Sequence, residues 1–67
     1  MNTFIFRKNY WIGLKELPPE QRLAAYDVIM EYVFDEEIKA PVFKECIPVL
    51  SMIFESVERD FERIVKR

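Results

Sequence analysis

The last third of the chain carries the most regular apolar pattern. Its members recur at alternating spacings of four and three residues: Phe43, Ile47, Leu50, Phe54, Val57, Phe61 and Ile64. Apolar residues at these spacings lie on one face of an α-helix. Pro48 stands inside the pattern, so either one helix is kinked there or a short turn over 41–45 precedes a helix over 47–65. We favour the second arrangement because proline is tolerated in the opening turn of a helix.

Two shorter apolar patterns come earlier in the chain. The first marks one face of a helix over about 4–16, although residues 3–6 fit a short extended arm equally well: Phe6, Tyr10, Leu14 and Leu17. Pro18 and Pro19 end this helix, because a residue before proline disfavours helical backbone. The second pattern predicts a helix over 19–35 with one stripe of four residues: Leu23, Tyr26, Met30 and Val33. Three more apolar residues lie beside that stripe: Ala25, Ile29 and Tyr32.

These elements predict an all-α bundle of three main helices in a single domain over residues 1–67. The second and last helices have similar lengths, so we expect them to pack antiparallel and to be closed by the shorter first helix. The last pattern runs to the end of the sequence without a stop signal. The domain is therefore expected to be either a complete small protein or the N-terminal part of a longer one.

The chain is rich in apolar residues for its size. It has 67 residues, of which 51% are hydrophobic and 15% aromatic, and so short a chain buries only about 60% of the surface that its unfolded form exposes. Cys46 is the only cysteine, so no disulfide can stabilise the fold. We therefore predict a homo-oligomer or a complex with a larger protein partner. The candidate interface residues are Trp11, Ile12 and Ile53.

Charge and hydropathy narrow the range of partners. The net charge is −2 and the pI about 5.1, which gives no general attraction to nucleic acid or to anionic lipid. No apolar stretch approaches the roughly 18 residues that span a bilayer, and the first residues do not resemble a signal peptide. We expect a cytoplasmic protein that does not bind membranes.

Three carboxylates recur along the second helix. Asp27, Glu31 and Asp35 stand four residues apart, a spacing at which like charges repel. Such a line could hold a divalent cation or serve acid–base chemistry, but a solvated face is the ordinary interpretation. We treat it as a candidate inter-helix salt-bridge face. Its possible basic partners lie on the first and last helices: Arg7, Lys8, Lys15, Arg59 and Arg63.

The residue inventory argues against catalysis. The chain has no histidine, so Cys46 lacks the usual base that would form a thiolate, and we interpret it as a small buried apolar residue. One cysteine and no histidine cannot build a zinc site. Gly13 is the only glycine, which excludes a glycine-rich phosphate loop. We therefore expect no enzyme activity, no cofactor and no bound metal.

A family resemblance rests on three stretches in this order. They are the aromatic N-terminal segment around Phe6 and Tyr10, the Leu-Pro-x-Glu-x-Arg stretch over 17–22, and the tyrosine-bearing segment over 26–32. Together they resemble a family of uncharacterised short helical domains found in bacterial prophage and mobile-element proteins. The family often carries glycine after the tyrosine-bearing helix, where this chain has acids over 35–37. The resemblance implies a phage-related interaction or accessory domain without an established activity.

Nucleic-acid binding is the alternative function. A three-helix domain can present a recognition helix, and five basic residues stand in the last segment: Lys44, Arg59, Arg63, Lys66 and Arg67. Acids interleave with them, and Glu55 precedes Arg59 by four residues in the order that stabilises a solvent-exposed helix. We therefore favour a non-catalytic protein-interaction or oligomerisation module over a nucleic-acid-binding accessory domain linked to replication of a mobile element.

Overall fold

The computed structural model describes residues 3–65, with side chains as far as residue 63. These residues form α1 (Lys8–Leu14), α2 (Pro19–Val33) and α3 (Ile47–Val65), and a 3-10 turn (Lys44–Cys46) leads directly into α3. The predicted all-α bundle of three main helices is confirmed. Across residues 3–65, no helix combines the length and the apolar character that a bilayer crossing requires.

The chain starts with an extended arm, residues 3–7, where the sequence left helix and arm open. The rings of Phe4 and Phe6 both pack against α2, with centroids 5.9 Å from Phe34 and 6.1 Å from Tyr26. Extended backbone directs alternate side chains to the same side, whereas helical backbone would separate them. The packing of these two rings on α2 therefore explains why α1 starts later than predicted.

The start of α2 is as predicted, whereas α1 ends at Leu14, two residues before the predicted end. Pro19 is the first residue of α2 and Pro18 is its N-cap, a position where the missing N–H of proline costs nothing. Arg22 reaches back from α2, and its Nη2 donates to the backbone oxygens of Lys15 at 3.3 Å and Leu17 at 3.1 Å. These bonds hold the turn between α1 and α2 against the first turn of α2.

The end of α2 is closed by backbone hydrogen bonds. Val33 is the last helical residue, two residues earlier than predicted, and Asp35 adopts the left-handed conformation at φ 59°. The N–H of Glu36 donates to the oxygen of Glu31 at 2.8 Å, and that of Asp35 donates to Tyr32 at 3.3 Å. This pair of bonds forms a Schellman motif, in which glycine is usual at the left-handed position and aspartate is tolerated.

The second and last helices run in the same direction, so the predicted antiparallel pairing is wrong. Near the start of both helices, the Cys46 thiol lies 3.7 Å from the backbone oxygen of Gln21. Farther along both, the rings of Tyr32 and Phe54 stack at 4.2 Å. The connection over 34–46 brings the chain back to the start of α2. An extended connection is long enough to run back along α2, because α2 is only roughly 22 Å long.

One core occupies the space between the three helices. Its buried residues are Tyr10, Leu14, Leu17, Ala25, Val28, Ile29, Val33, Cys46, Leu50, Ile53 and Val57. The predicted face of α1 is confirmed for Tyr10, Leu14 and Leu17. The Tyr10 hydroxyl is satisfied within this core, because it donates to Ser56 Oγ at 2.6 Å.

The predicted stripe of α2 is largely wrong. Leu23 is 66% exposed and Met30 is also exposed, whereas Val33 is buried as predicted. Ala25 and Ile29, which were predicted beside the stripe, are buried. The buried face as a whole carries small and β-branched residues: Ala24, Ala25, Val28, Ile29 and Val33. Alanine lets a neighbouring helix approach closely, since the distance between helix axes follows the size of the side chains at the contact.

The buried face of α3 is rotated relative to the predicted stripe. Leu50 and Val57 are buried as predicted, but Ile47 remains 49% exposed and Phe61 is similarly exposed. Ile64 lies outside the residues whose side chains are described. Ile47 is the first residue of α3, and Phe61 lies toward its other end. The exposed members of the stripe are therefore near the ends of the helix.

Ile53 belongs to the core, which corrects its assignment as an interface residue. Its side chain is 0% exposed. Since α1 and α2 pack on adjacent sides of α3, the buried face of α3 is wider than a single stripe. The approach of α1 is close at Gly13, where a methyl group would lie 3.3 Å from Val49 Cγ1. The stripe alone did not predict this wider buried face.

Candidate interaction surfaces

The outward face of α2 carries an apolar surface that we call the α2 ridge. It comprises Leu23, Tyr26, Met30 and Phe34. Residues three and four positions apart are neighbours on a helix surface, so these four side chains follow one another along α2, with exposed Asp27 beside them. The arm widens it, because the ring of Phe6 stacks on Tyr26 with an interplanar angle of 23°. Phe6 also meets the buried ring of Tyr10 edge-on at 5.5 Å, which ties this surface to the core.

Two of the three predicted interface residues lie at the surface of α1. Trp11 and Ile12 are both exposed, whereas Ile53 is not. The ammonium group of Lys15 stands 4.7 Å from the centre of the Trp11 ring, within the range of a cation–π contact. Trp11 and Ile12 therefore lie about half-exposed on α1.

The carboxylate line of α2 does not form the expected salt-bridge face at Glu31. That side chain accepts hydrogen bonds from the backbone N–H groups of Lys39 at 2.6 Å and Ala40 at 3.1 Å. It thereby holds the returning connection against α2. Asp27 lies exposed on the helix, and Asp35 occupies the left-handed turn. The three carboxylates therefore have different roles.

Arg7, an expected partner of that line, instead pairs with Asp60 of α3. Its Nη2 lies 2.7 Å from Oδ1 and its Nε 3.2 Å from Oδ2, the two-point geometry in which arginine binds carboxylates best. The hydrogen bond from Arg7 holds the pKa of Asp60 below its usual range, against the opposing effect of burial. Arg59 and Arg63 share a shallow hollow with this pair. We call Arg7, Arg59 and Arg63 the basic corner.

A groove of about 470 Å³ lies between the end of α2 and the second half of α3. We call it the acidic groove, and it is lined by Tyr32, Val33, Asp35, Val57, Glu58, Phe61 and Glu62. The Tyr32 hydroxyl donates to the Glu58 carboxylate, and this bond raises the pKa of Tyr32. Apolar side chains form its floor, carboxylates form its rim, and no lysine or arginine among residues 3–63 lines it.

A family model matches residues 3–67 of this helical domain. The chain belongs to the DUF6291 family. It is a family of unknown function, so membership assigns no activity, ligand or partner. No curated protein and no solved structure matches the chain. The expected relation to a family of uncharacterised domains is confirmed, and the match carries no information about prophages or mobile elements.

Cys46 of this DUF6291 chain is buried where the 3-10 turn meets α3. Burial raises the pKa of its thiol, and the nearby charge of Glu45 adds to this effect. Reactive cysteines require the opposite shift. Within the described part of the chain, no three histidine, cysteine, aspartate or glutamate side chains are grouped so that they could hold a metal ion.

The sequence does not indicate that the residues of the acidic groove share one surface. A signal was present, because Glu55, Glu58 and Glu62 recur at helical spacing beside the apolar pair Val57 and Phe61. From the sequence alone, that pattern indicates a solvated face next to a core stripe. The parallel path of α2 turns it into one wall of a groove.

Proposed function

We propose that this DUF6291 chain is a non-catalytic protein-interaction or oligomerisation module that buries the α2 ridge against a second copy or a larger protein. The exposure of Leu23 carries the proposal, because a leucine with two-thirds of its surface exposed continues into exposed Met30 and Phe34. Contiguous apolar surface on a small domain marks interaction sites. Trp11 and Ile12 supply further apolar surface on α1.

The test compares a ridge variant with a matched control. Light scattering over a series of protein concentrations should show a rising mass for the wild type and a lower mass for Leu23→Glu. Ile38→Glu places the same charge on an exposed apolar residue of the connection and should behave as the wild type. A wild type that is monomeric at every concentration refutes self-association. Binding to a larger partner is then tested with the products of neighbouring genes, and Leu23→Glu must lose that binding.

The absence of catalysis is part of this proposal. The sequence has no histidine, and the only thiol is buried with a raised pKa. These features support a surface that binds rather than a centre that reacts.

The biological setting is also proposed. A phage-related or mobile-element protein is supported by the Leu-Pro-x-Glu-x-Arg stretch over 17–22 and the tyrosine-bearing segment over 26–32. A cytoplasmic location is supported by a lone cysteine without a disulfide partner. Sequencing of the gene neighbourhood tests the first proposal, and cell fractionation tests the second.

The second candidate function is nucleic-acid binding through the basic corner. Three arginines converge there, and Asp60 neutralises one of them. Two remaining charges predict weak binding, with a slope of about −2 for log K against log salt concentration on duplex DNA. Titration of duplex and single-stranded DNA across a salt series, with Arg59→Glu as the variant, measures that slope. Binding that does not change with salt would argue against phosphate contacts.

A further inference from the structure

We propose that the acidic groove binds a segment of a partner protein in which an apolar side chain is flanked by lysine or arginine. The groove contains none of the α2 ridge residues and none of the basic corner. The proposal rests on the interaction role proposed above, and it adds a second contact surface with a defined chemistry.

The apolar floor of the groove favours a partner with an apolar side chain. Val33 and Val57 are part of the core, and the half-exposed ring of Phe61 stands beside them. A partner that covers this ring removes apolar surface from water, which is favourable in proportion to the area removed. The volume of about 470 Å³ lies within the range of about 300–1,000 Å³ that binding pockets occupy.

The carboxylates on the rim of the groove favour a partner that carries lysine or arginine. Glu58 and Glu62 of α3 stand on this rim, and no basic residue among residues 3–63 lines it. Because the hydroxyl of Tyr32 donates to Glu58, that carboxylate is held in place before a partner arrives. Attraction between charges increases where apolar walls exclude water, and arginine can bind a carboxylate through two parallel hydrogen bonds.

The acidic surface is longer than the groove itself, which favours a protein segment over a small cation. Glu55, Glu58 and Glu62 share one face of α3, and they line a second hollow together with Arg59. Seven residues of helix extend roughly 10 Å. A segment with basic residues at successive turns matches that length.

A second copy of the chain fits the groove poorly. Its basic corner offers positive charge, but the hollow there is lined only by polar residues: Arg7, Ser56, Arg59, Asp60 and Arg63. Among residues 3–63, no apolar side chain lines that hollow and could cover the floor of the groove. The net charge of −2 also opposes the approach of a second acidic surface.

The test uses synthetic peptides and the full chain. The probe is a fluorescent peptide in which lysines flank leucine and phenylalanine, and binding is measured by fluorescence anisotropy at low salt. One control peptide has glutamate in place of lysine, and another has serine in place of the apolar residues. We expect only the first peptide to bind. Equal binding of the serine peptide, or no binding of any peptide, overturns the proposal.

Protein variants then place the binding site. Glu62→Gln should weaken binding about two- to five-fold, as expected for an exposed ion pair, and Phe61→Ala about five-fold through lost apolar contact. Glu20→Gln removes the same charge at the opposite end of α2 and should change binding by less than about two-fold. Circular dichroism checks that each variant is folded. If the groove variants bind as well as Glu20→Gln does, the site lies elsewhere and the proposal is wrong.

Two further measurements separate this proposal from its alternatives. Arginine amide that competes as strongly as the peptide would show a small-cation site, which overturns the proposal. Peptide binding is also measured in the Leu23→Glu variant. Binding that persists there supports a groove independent of the α2 ridge, and binding lost there assigns the peptide to the ridge and overturns the proposal. If the peptide does not bind the groove, the light-scattering test of the α2 ridge is unaffected.

Discussion

Replacing Ile53 with alanine should cost far more stability than the same change at Ile47. Both isoleucines lie on α3, six residues apart, so the two variants remove identical atoms from the same helix. They differ in surroundings, because Ile53 is 0% exposed and Ile47 is 49% exposed. The pair therefore measures which face of α3 is buried.

The expected magnitudes follow from that burial. At Ile53, the three lost carbons contribute about 0.8 kcal/mol each, and the cavity left behind raises the total to about 2–5 kcal/mol. At Ile47 about half of the side chain is already exposed, so its truncation loses only about half of the energy of burying these carbons. The higher helix propensity of alanine offsets part of that loss. We expect less than about 1 kcal/mol at Ile47. A domain of this size has roughly 3–10 kcal/mol of stability in total.

Urea unfolding followed by circular dichroism measures both values. Ile53→Val is included because its expected cost of about 0.5–1.5 kcal/mol keeps the protein folded if the alanine variant is not. Equal costs at the two positions would refute the core described here. A larger cost at Ile47 than at Ile53 would restore the stripe that the sequence predicted.

Two other predictions concern the charge of Asp35 at the end of α2 and the ion pair between Arg7 and Asp60. Asp35→Gly should stabilise the domain by about 1–2 kcal/mol, because glycine adopts the left-handed conformation without strain and a negative charge is removed from the C-terminus of α2. Asp35→Asn should give only the effect of the charge. Equal urea midpoints for the two variants would contradict the argument from backbone strain. The pKa of Asp60 is lowered in the folded state, so the unfolded state binds more protons and stability falls as the pH drops below about 4. Melting temperatures measured against pH should fall less steeply in Asp60→Asn, and an unchanged slope would exclude the contact with Arg7 as the cause.

The starts of α2 and α3 could be predicted because they depend on neighbours in sequence. Proline restricts the backbone of its own and the preceding residue, and Pro18, Pro19 and Pro48 placed the starts of α2 and α3 correctly. The identity of the buried faces depends on contacts across the chain. Leu23 and Ile29 are both apolar and both helical, and only the position of α3 determines which of them is buried.

The candidate surfaces were harder to predict than the helices. The parallel path of α2 and α3 depends on the connection over 34–46, and no local pattern marks Glu31 as the residue that anchors it. The same topology forms the acidic groove from Val33 of one helix and Phe61 of another. Trp11 and Ile12 were correctly placed at the surface because the face through Tyr10 and Leu14 left them outside it.

The pairing of α1 with α3 has a consequence for the order of folding. Arg7 and Asp60 are separated by 53 residues, and Tyr10 and Ser56 by 46, whereas most helical bundles fold quickly through contacts that are close in sequence. On the ribosome, Tyr10 emerges long before the residue that accepts its hydrogen bond. We therefore expect folding to be slower than in an up-and-down bundle of equal length. The helix that is synthesised first docks only after nearly all of the domain has been made.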